Sequence, residues 1–126
     1  MKLPQDLKYT KDHEWIQILG NIGIIGVTHY ALEQLGDVVY LELPKVGTKF
    51  HAHASFGTIE STKTVSDLFL PADGEILEIN QTVIDSPELL TKDAYNEGWL
   101  VKIKIQDLPK NLLTASEYEN YLKVSH

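Results

Sequence analysis

From Trp99 to Ile105 the odd positions are bulky and apolar, while Lys102 and Lys104 point the other way. A period of two belongs to a β-strand with one buried face, because successive side chains leave opposite sides of the backbone. The two lysines would also discourage edge-to-edge pairing with another chain. The rest of the chain repeats this theme in shorter pieces. Glu14 to Leu19 and Ile22 to Thr28 are rich in isoleucine and meet at Gly20-Asn21, a hairpin-turn dipeptide. Strands are also predicted over Asp37 to Leu43, ended by Pro44, and over Phe56 to Ser61, Val65 to Leu70 and Glu75 to Asn80.

Between these lie the punctuating signals. Thr28 caps a short helix in which Ala31, Leu32 and Leu35 share a face, and Gly36 stops it. Val46-Gly47 turns the chain towards Phe50, and Asp73-Gly74 reads as a second turn. Ser86-Pro87 begins a stretch that reads as irregular to about Gly98. Thr114 to Glu117 has the pattern of a capping box, opening a final helix with Tyr118, Tyr121 and Leu122 on one face. Seven or so short strands and two small helices give a mainly β chain, a sandwich or partly open barrel with peripheral helices.

Composition narrows the function. A chain of 126 residues, 43% apolar, supports one core and one domain. Its net charge of −7 opposes non-specific binding to nucleic acid, which needs a basic face. The same charge suits docking onto partners with basic surfaces. There is no cysteine, so any sulfur chemistry must arrive on a prosthetic group. The segment Met1-Lys2-Leu3-Pro4-Gln5-Asp6 lacks the apolar run of a signal peptide, and no window approaches a membrane span, so a cytoplasmic protein is expected.

Glycines at 20, 23 and 26 have the wrong spacing for a dinucleotide fingerprint, and no Gly-Lys-Ser/Thr follows; close packing within strands explains them better. His51 and His53 would point the same way on a strand, but no third ligand is evident, and no metal site is expected. Strand alternation would turn His13 away from Asp12 and Glu14, which disfavours an acid–base centre there. Lys63 lies at the break between two strand-like runs, in Glu60-Ser61-Thr62-Lys63-Thr64-Val65-Ser66-Asp67. The residues alone leave two readings open: a solvated loop lysine, or an amine presented to another protein.

That stretch, followed by Pro71-Ala72-Asp73-Gly74-Glu75-Ile76, resembles the attachment hairpin of the glycine cleavage system H-protein family. The resemblance extends over most of the chain. It includes Leu7-Lys8-Tyr9, His13-Glu14-Trp15, Gly26-Val27-Thr28, Leu35-Gly36-Asp37, Leu43-Pro44, Asp85-Ser86-Pro87-Glu88-Leu89 and Gly98-Trp99. It implies a barrel-sandwich hybrid, a single monomeric lipoyl-carrier domain over 1–126 with the attachment hairpin at about 56–71, and lipoic acid joined to Lys63 by an amide. Biotin carriers share the architecture but flank their lysine with methionines, where Thr62 and Thr64 stand here. An ordinary lysine, with a pKa of about 10.4, is almost wholly protonated at neutral pH, so a lipoyl transferase or ligase must activate the acyl group.

The resemblance further implies a carrier without a catalytic centre. It would take an aminomethyl group from a pyridoxal-phosphate glycine decarboxylase to a tetrahydrofolate-dependent aminomethyltransferase, and present its reduced arm to dihydrolipoyl dehydrogenase. Glu14 and Asp67 match positions that would face the arm in a cleft; read by themselves they are equally two solvated strand carboxylates. His51-Ala52-His53-Ala54-Ser55 and Asp12 depart from the family's usual pattern beside the presumed docking face. Two other roles fit the same residues: a lipoyl relay serving other lipoyl domains or another pathway, and an unmodified interaction module.

Overall fold

The computed structural model describes residues 3–107 and 111–124; the termini and residues 108–110 of the expected 1–126 domain lie outside the described residues. Among the described residues nine strands and four helices follow in order: β1 Lys8–Tyr9, β2 Glu14–Leu19, β3 Ile22–Val27, α1 His29–Leu35, β4 Val38–Glu42, β5 Lys49–Phe50 and β6 Ser55–Ser61. After these come β7 Val65–Phe69, β8 Asp73–Ile79, α2 Gln81–Asp85, α3 Leu89–Lys92, β9 Val101–Asp107 and α4 Ala115–Val124. The strands form a six-stranded sheet, β1-β2-β3-β9-β8-β5, and a three-stranded sheet, β4-β6-β7.

β9 lies inside the larger sheet, antiparallel to both β3 and β8. Its lysines therefore guard no edge, which corrects the reading from sequence. Lys102 instead lies 3.4 Å from Glu78 and 4.7 Å from the centre of the Trp99 ring. The apolar alternation holds its register: Val101 and Ile103 are fully buried, and each such side chain is worth roughly 1.5–3 kcal/mol. A one-residue slip would exchange them for lysines.

The main core joins Ile16, Ile25, Ile76 and Ile103 of the large sheet to Leu41, Ile59 and Leu68 of the small one, with Leu32 and Leu35 of α1. A second cluster, containing Tyr9, Trp15, Ala115 and Tyr118, seats α4. Trp15 pairs with Gly26 across β2 and β3, and its indole occupies the space that any side chain at 26 would need. The close-packing reading of that glycine holds.

Two expectations fail. Asp73-Gly74 is not a turn but the start of β8. Gly74 is there because a Cβ would lie 2.8 Å from the Lys104 carbonyl oxygen, and Asp73 accepts a hydrogen bond from the Ala52 amide at 2.6 Å. The stretch to Gly98 is not wholly irregular either, because α3 lies within it and α2 just before it. Asn80 ends the strand and caps α2, accepting from the Thr82 amide at 3.1 Å. Its amide nitrogen also donates to Glu97 and Trp99 carbonyls at 2.9 and 2.8 Å. By contrast, the capping box of α4 is formed in both directions, Thr114 amide to Glu117 at 2.9 Å and Glu117 amide to Thr114 at 3.2 Å.

Candidate functional site

The β6–β7 hairpin closes on a single side chain. Ser61 is buried, and its hydroxyl oxygen accepts from the amides of Lys63 at 3.1 Å and Thr64 at 3.2 Å. The Ser61 amide donates to the Thr64 carbonyl at 2.8 Å. A fourth bond, from the Thr62 amide to the Asp37 carbonyl at 3.1 Å, fastens the tip to the junction of α1 and β4. Serine thus satisfies the turn locally. Lys63 is exposed at this fixed tip.

The side chain of Lys63 runs past the end of α1. Gly36 closes that helix with a positive φ of 86° and donates its amide to the Leu32 carbonyl. A methyl group placed on Gly36 would come within 3.5 Å of Lys63 Cε and 3.8 Å of Nζ. That is ordinary contact, so the positive φ is what favours glycine here, while the lysine stem packs close beside it.

Beside this tip lies a cleft of about 580 Å³, walled by α1 on one side and by β7 on the other. Glu14, Val27, Tyr30, Leu35, Asp67 and Phe69 are among its lining residues, so the structure brings both sequence-predicted carboxylates to one cavity. They differ sharply. Asp67 is exposed and accepts from the Ser55 hydroxyl at 3.1 Å. Glu14 is only 3% exposed. Its Oε2 accepts from the Phe69 amide at 2.7 Å, whereas Oε1 is buried with no hydrogen-bond partner among the described residues. Burial holds the Glu14 carboxyl well above the usual carboxylate range; the Phe69 amide opposes that rise and the nearby Asp12 charge adds to it. Glu14 is not the solvated carboxylate that sequence alone allowed.

His13 also lines the cleft, but not from a strand. It occupies a bend with φ 66°, a region in which histidine is commoner than most residues, and its Nδ1 lies 2.8 Å from the Tyr118 hydroxyl. Strand alternation was the wrong ground for its orientation. The same correction applies to His51 and His53, which lie beyond β5 and before β6, His53 with φ 70°. His51 Nδ1 is 3.9 Å from Asp73, and among the described residues no three His, Cys, Asp or Glu side chains converge as a metal site would require. Sequence reasoning missed Tyr30 and Gln34 as cleft residues. Their four-residue separation on a helix puts them on one face, the signal that could have found them.

A family model described as "Glycine cleavage H-protein" matches residues 7–125. The glycine cleavage system H protein of Herpetosiphon aurantiacus is 51% identical over 120 residues, covering 95% of this chain and 93% of that protein. That of Bacteroides thetaiotaomicron is 52% identical over 121 residues, covering 94% and 96%. The crystal structure of a glycine cleavage system H protein from Mycobacterium marinum superposes with a TM-score of 0.91 at 43% identity, covering 97% of this chain and all of that one. The architecture is the mainly β barrel-sandwich hybrid, with short peripheral helices including a C-terminal one.

Proposed function

This chain belongs to the glycine cleavage H-protein family, and on that premise we propose that it is a non-catalytic lipoyl carrier of glycine cleavage whose attachment residue is Lys63. The observation that carries the assignment of the residue is the tip itself: an exposed amine on a turn pinned by Ser61 and Asp37, next to a cleft with an incompletely bonded carboxyl. Lipoate, when attached, supplies a reversibly reducible disulfide, the sulfur chemistry that a chain without cysteine lacks. The remaining work falls to the chain's own residues.

Lys63 Nζ provides the amide nitrogen, and the pinned turn holds that anchor in place. The cleft offers an arm a partly apolar lodging of Val27, Leu35 and Phe69, with Glu14 at its floor and Asp67 at its open side. An ammonium group on the cargo would give Glu14 Oε1 the partner it lacks and favour its ionised form. Asp67 adds a second negative charge, weakened by water. Glu14 and Asp67 are accordingly the arm-facing residues in this reading.

Family membership implies contact with other components of the glycine cleavage system. The partners proposed are the glycine decarboxylase, the aminomethyltransferase, the dihydrolipoyl dehydrogenase and a lipoyl transferase or ligase. No helix among the described residues is long and apolar enough to cross a membrane. A cytoplasmic monomer remains the proposal.

Intact-mass measurement with peptide mapping of protein from its native cells tests the attachment. A lipoyl increment at position 63 is expected, and a bare Lys63 in cells running the pathway would refute it. Glycine-dependent exchange of carbon dioxide beside the decarboxylase then separates a glycine cleavage carrier from a lipoyl relay.

A further inference from the structure

Tyr118 stands outside the cleft yet joins its floor to one of its walls. It is fully buried on α4, its ring stacked on Tyr9 with centroids 5.0 Å apart and planes 9° from parallel. Its hydroxyl lies 2.8 Å from His13 Nδ1 and 2.9 Å from Thr28 Oγ1. His13 immediately precedes Glu14, and Thr28 caps α1, the helix that supplies Tyr30 and Leu35 to one wall. The hydroxyl thus bonds one residue that lines the cleft and the cap of the helix that walls it.

The Thr28 oxygen also accepts from the Ala31 amide at 3.3 Å, so one connected set of hydrogen-bonding groups runs from α1 through the Tyr118 hydroxyl to His13. Burial pushes the Tyr118 phenol above its ordinary range, against the hydrogen bond with Thr28, so it keeps its proton near neutral pH. One backbone bond, from the Thr28 amide to the His13 carbonyl at 3.0 Å, runs alongside. Floor and wall are thus tied at the main chain and again through α4. Tyr9 provides the comparison: its hydroxyl bonds the Pro4 carbonyl at 2.7 Å, and Tyr9 does not line the cleft.

We propose that Tyr118 is a positioning residue whose hydroxyl sets how His13-Glu14 sits against α1, so that the C-terminal helix keeps the floor of the cleft in the arrangement that shields a lodged arm from water. This rests on the reading of the cleft as the arm's shelter. The lifetime of the loaded arm and the rigidity of the bare protein report on it separately.

The experiment compares Tyr118→Phe, Tyr9→Phe and Glu14→Gln in the full-length protein. In the unmodified chain, Tyr118→Phe is expected to speed amide hydrogen exchange at Ala31 and Leu32 by about five- to tenfold, the loss of roughly one net hydrogen bond. In lipoylated, aminomethyl-loaded protein it shortens the lifetime of the load by a similar factor. Tyr9→Phe lowers the unfolding midpoint comparably but changes neither quantity. Tyr118→Phe and Tyr9→Phe behaving alike in both measurements overturns the proposal. Glu14→Gln shortening the lifetime while Tyr118→Phe leaves it unchanged overturns the positioning role and spares the shelter. If neither variant alters the lifetime, the shelter falls and the positioning role falls with it.

Discussion

Replacing Glu14 by glutamine isolates the group on which the cleft depends. Among the described residues the wild-type side chain, 3% exposed, has a single hydrogen bond, from Phe69, with its second oxygen buried and unpartnered. Burial therefore favours the neutral acid, and its folded pKa lies well above the usual value. The sign follows from proton linkage. In the pH interval between the unfolded and folded pKa values the native state holds a proton that the unfolded state has lost, so stability falls as pH rises. Below that interval both states are protonated and the effect is absent; above it the loss is complete. Glutamine keeps the acceptor for the Phe69 amide and cannot ionise.

At about pH 5 the variant should lie within about 1 kcal/mol of wild type, the net value of a typical hydrogen bond. At about pH 8 the difference should have moved in the variant's favour by at least about 1 kcal/mol, since an ionised carboxylate with one bond carries a desolvation penalty of several. Urea denaturation of both proteins across this range reads the difference curve, in which the other titrations cancel. Parallel curves would show that Glu14 titrates like a solvated carboxylate, and the account of the cleft would be wrong.

Lys63→Arg should fold with stability within about 0.5 kcal/mol of wild type, because the side chain is exposed, yet take up no lipoyl mass when offered a lipoate-attaching enzyme. Ser61→Ala removes the acceptor for two tip amides and should loosen the turn by about 0.5–1.5 kcal/mol, read as faster amide exchange at Lys63 and Thr64 and slower acylation. Thr114→Ala breaks one arm of the capping box and should cost α4 about 1 kcal/mol, measured by thermal unfolding followed in the far ultraviolet.

What could be read from the sequence was local. Gly20-Asn21, the Thr28 and Gly36 caps, the Thr114–Glu117 box and the alternation of β9 each announce themselves within a few residues, and each is found. α2 and α3 escaped because helices of five and four residues are too short to show a period, and they are held by burial of Val83 and Leu90. The interior position of β9 was hidden because pairing partners far along the chain decide it. The burial of Glu14 was hidden for the same reason, since Phe69, which bonds it, lies 55 residues away. Lys63 was singled out by resemblance; its residues alone did not distinguish it from any loop lysine. The positive φ of His13 had no local signal beyond a residue type that tolerates it.

The bond from Thr62 to Asp37, with the two that Ser61 accepts, anchors the backbone at Lys63, the proposed attachment residue. An arm turning on such an anchor sweeps a shell whose radius is its own length. How far below its surface a partner enzyme can bury its reacting atoms is then bounded by that radius. An enzyme with a deeper centre would go unserved, however tightly it gripped the carrier.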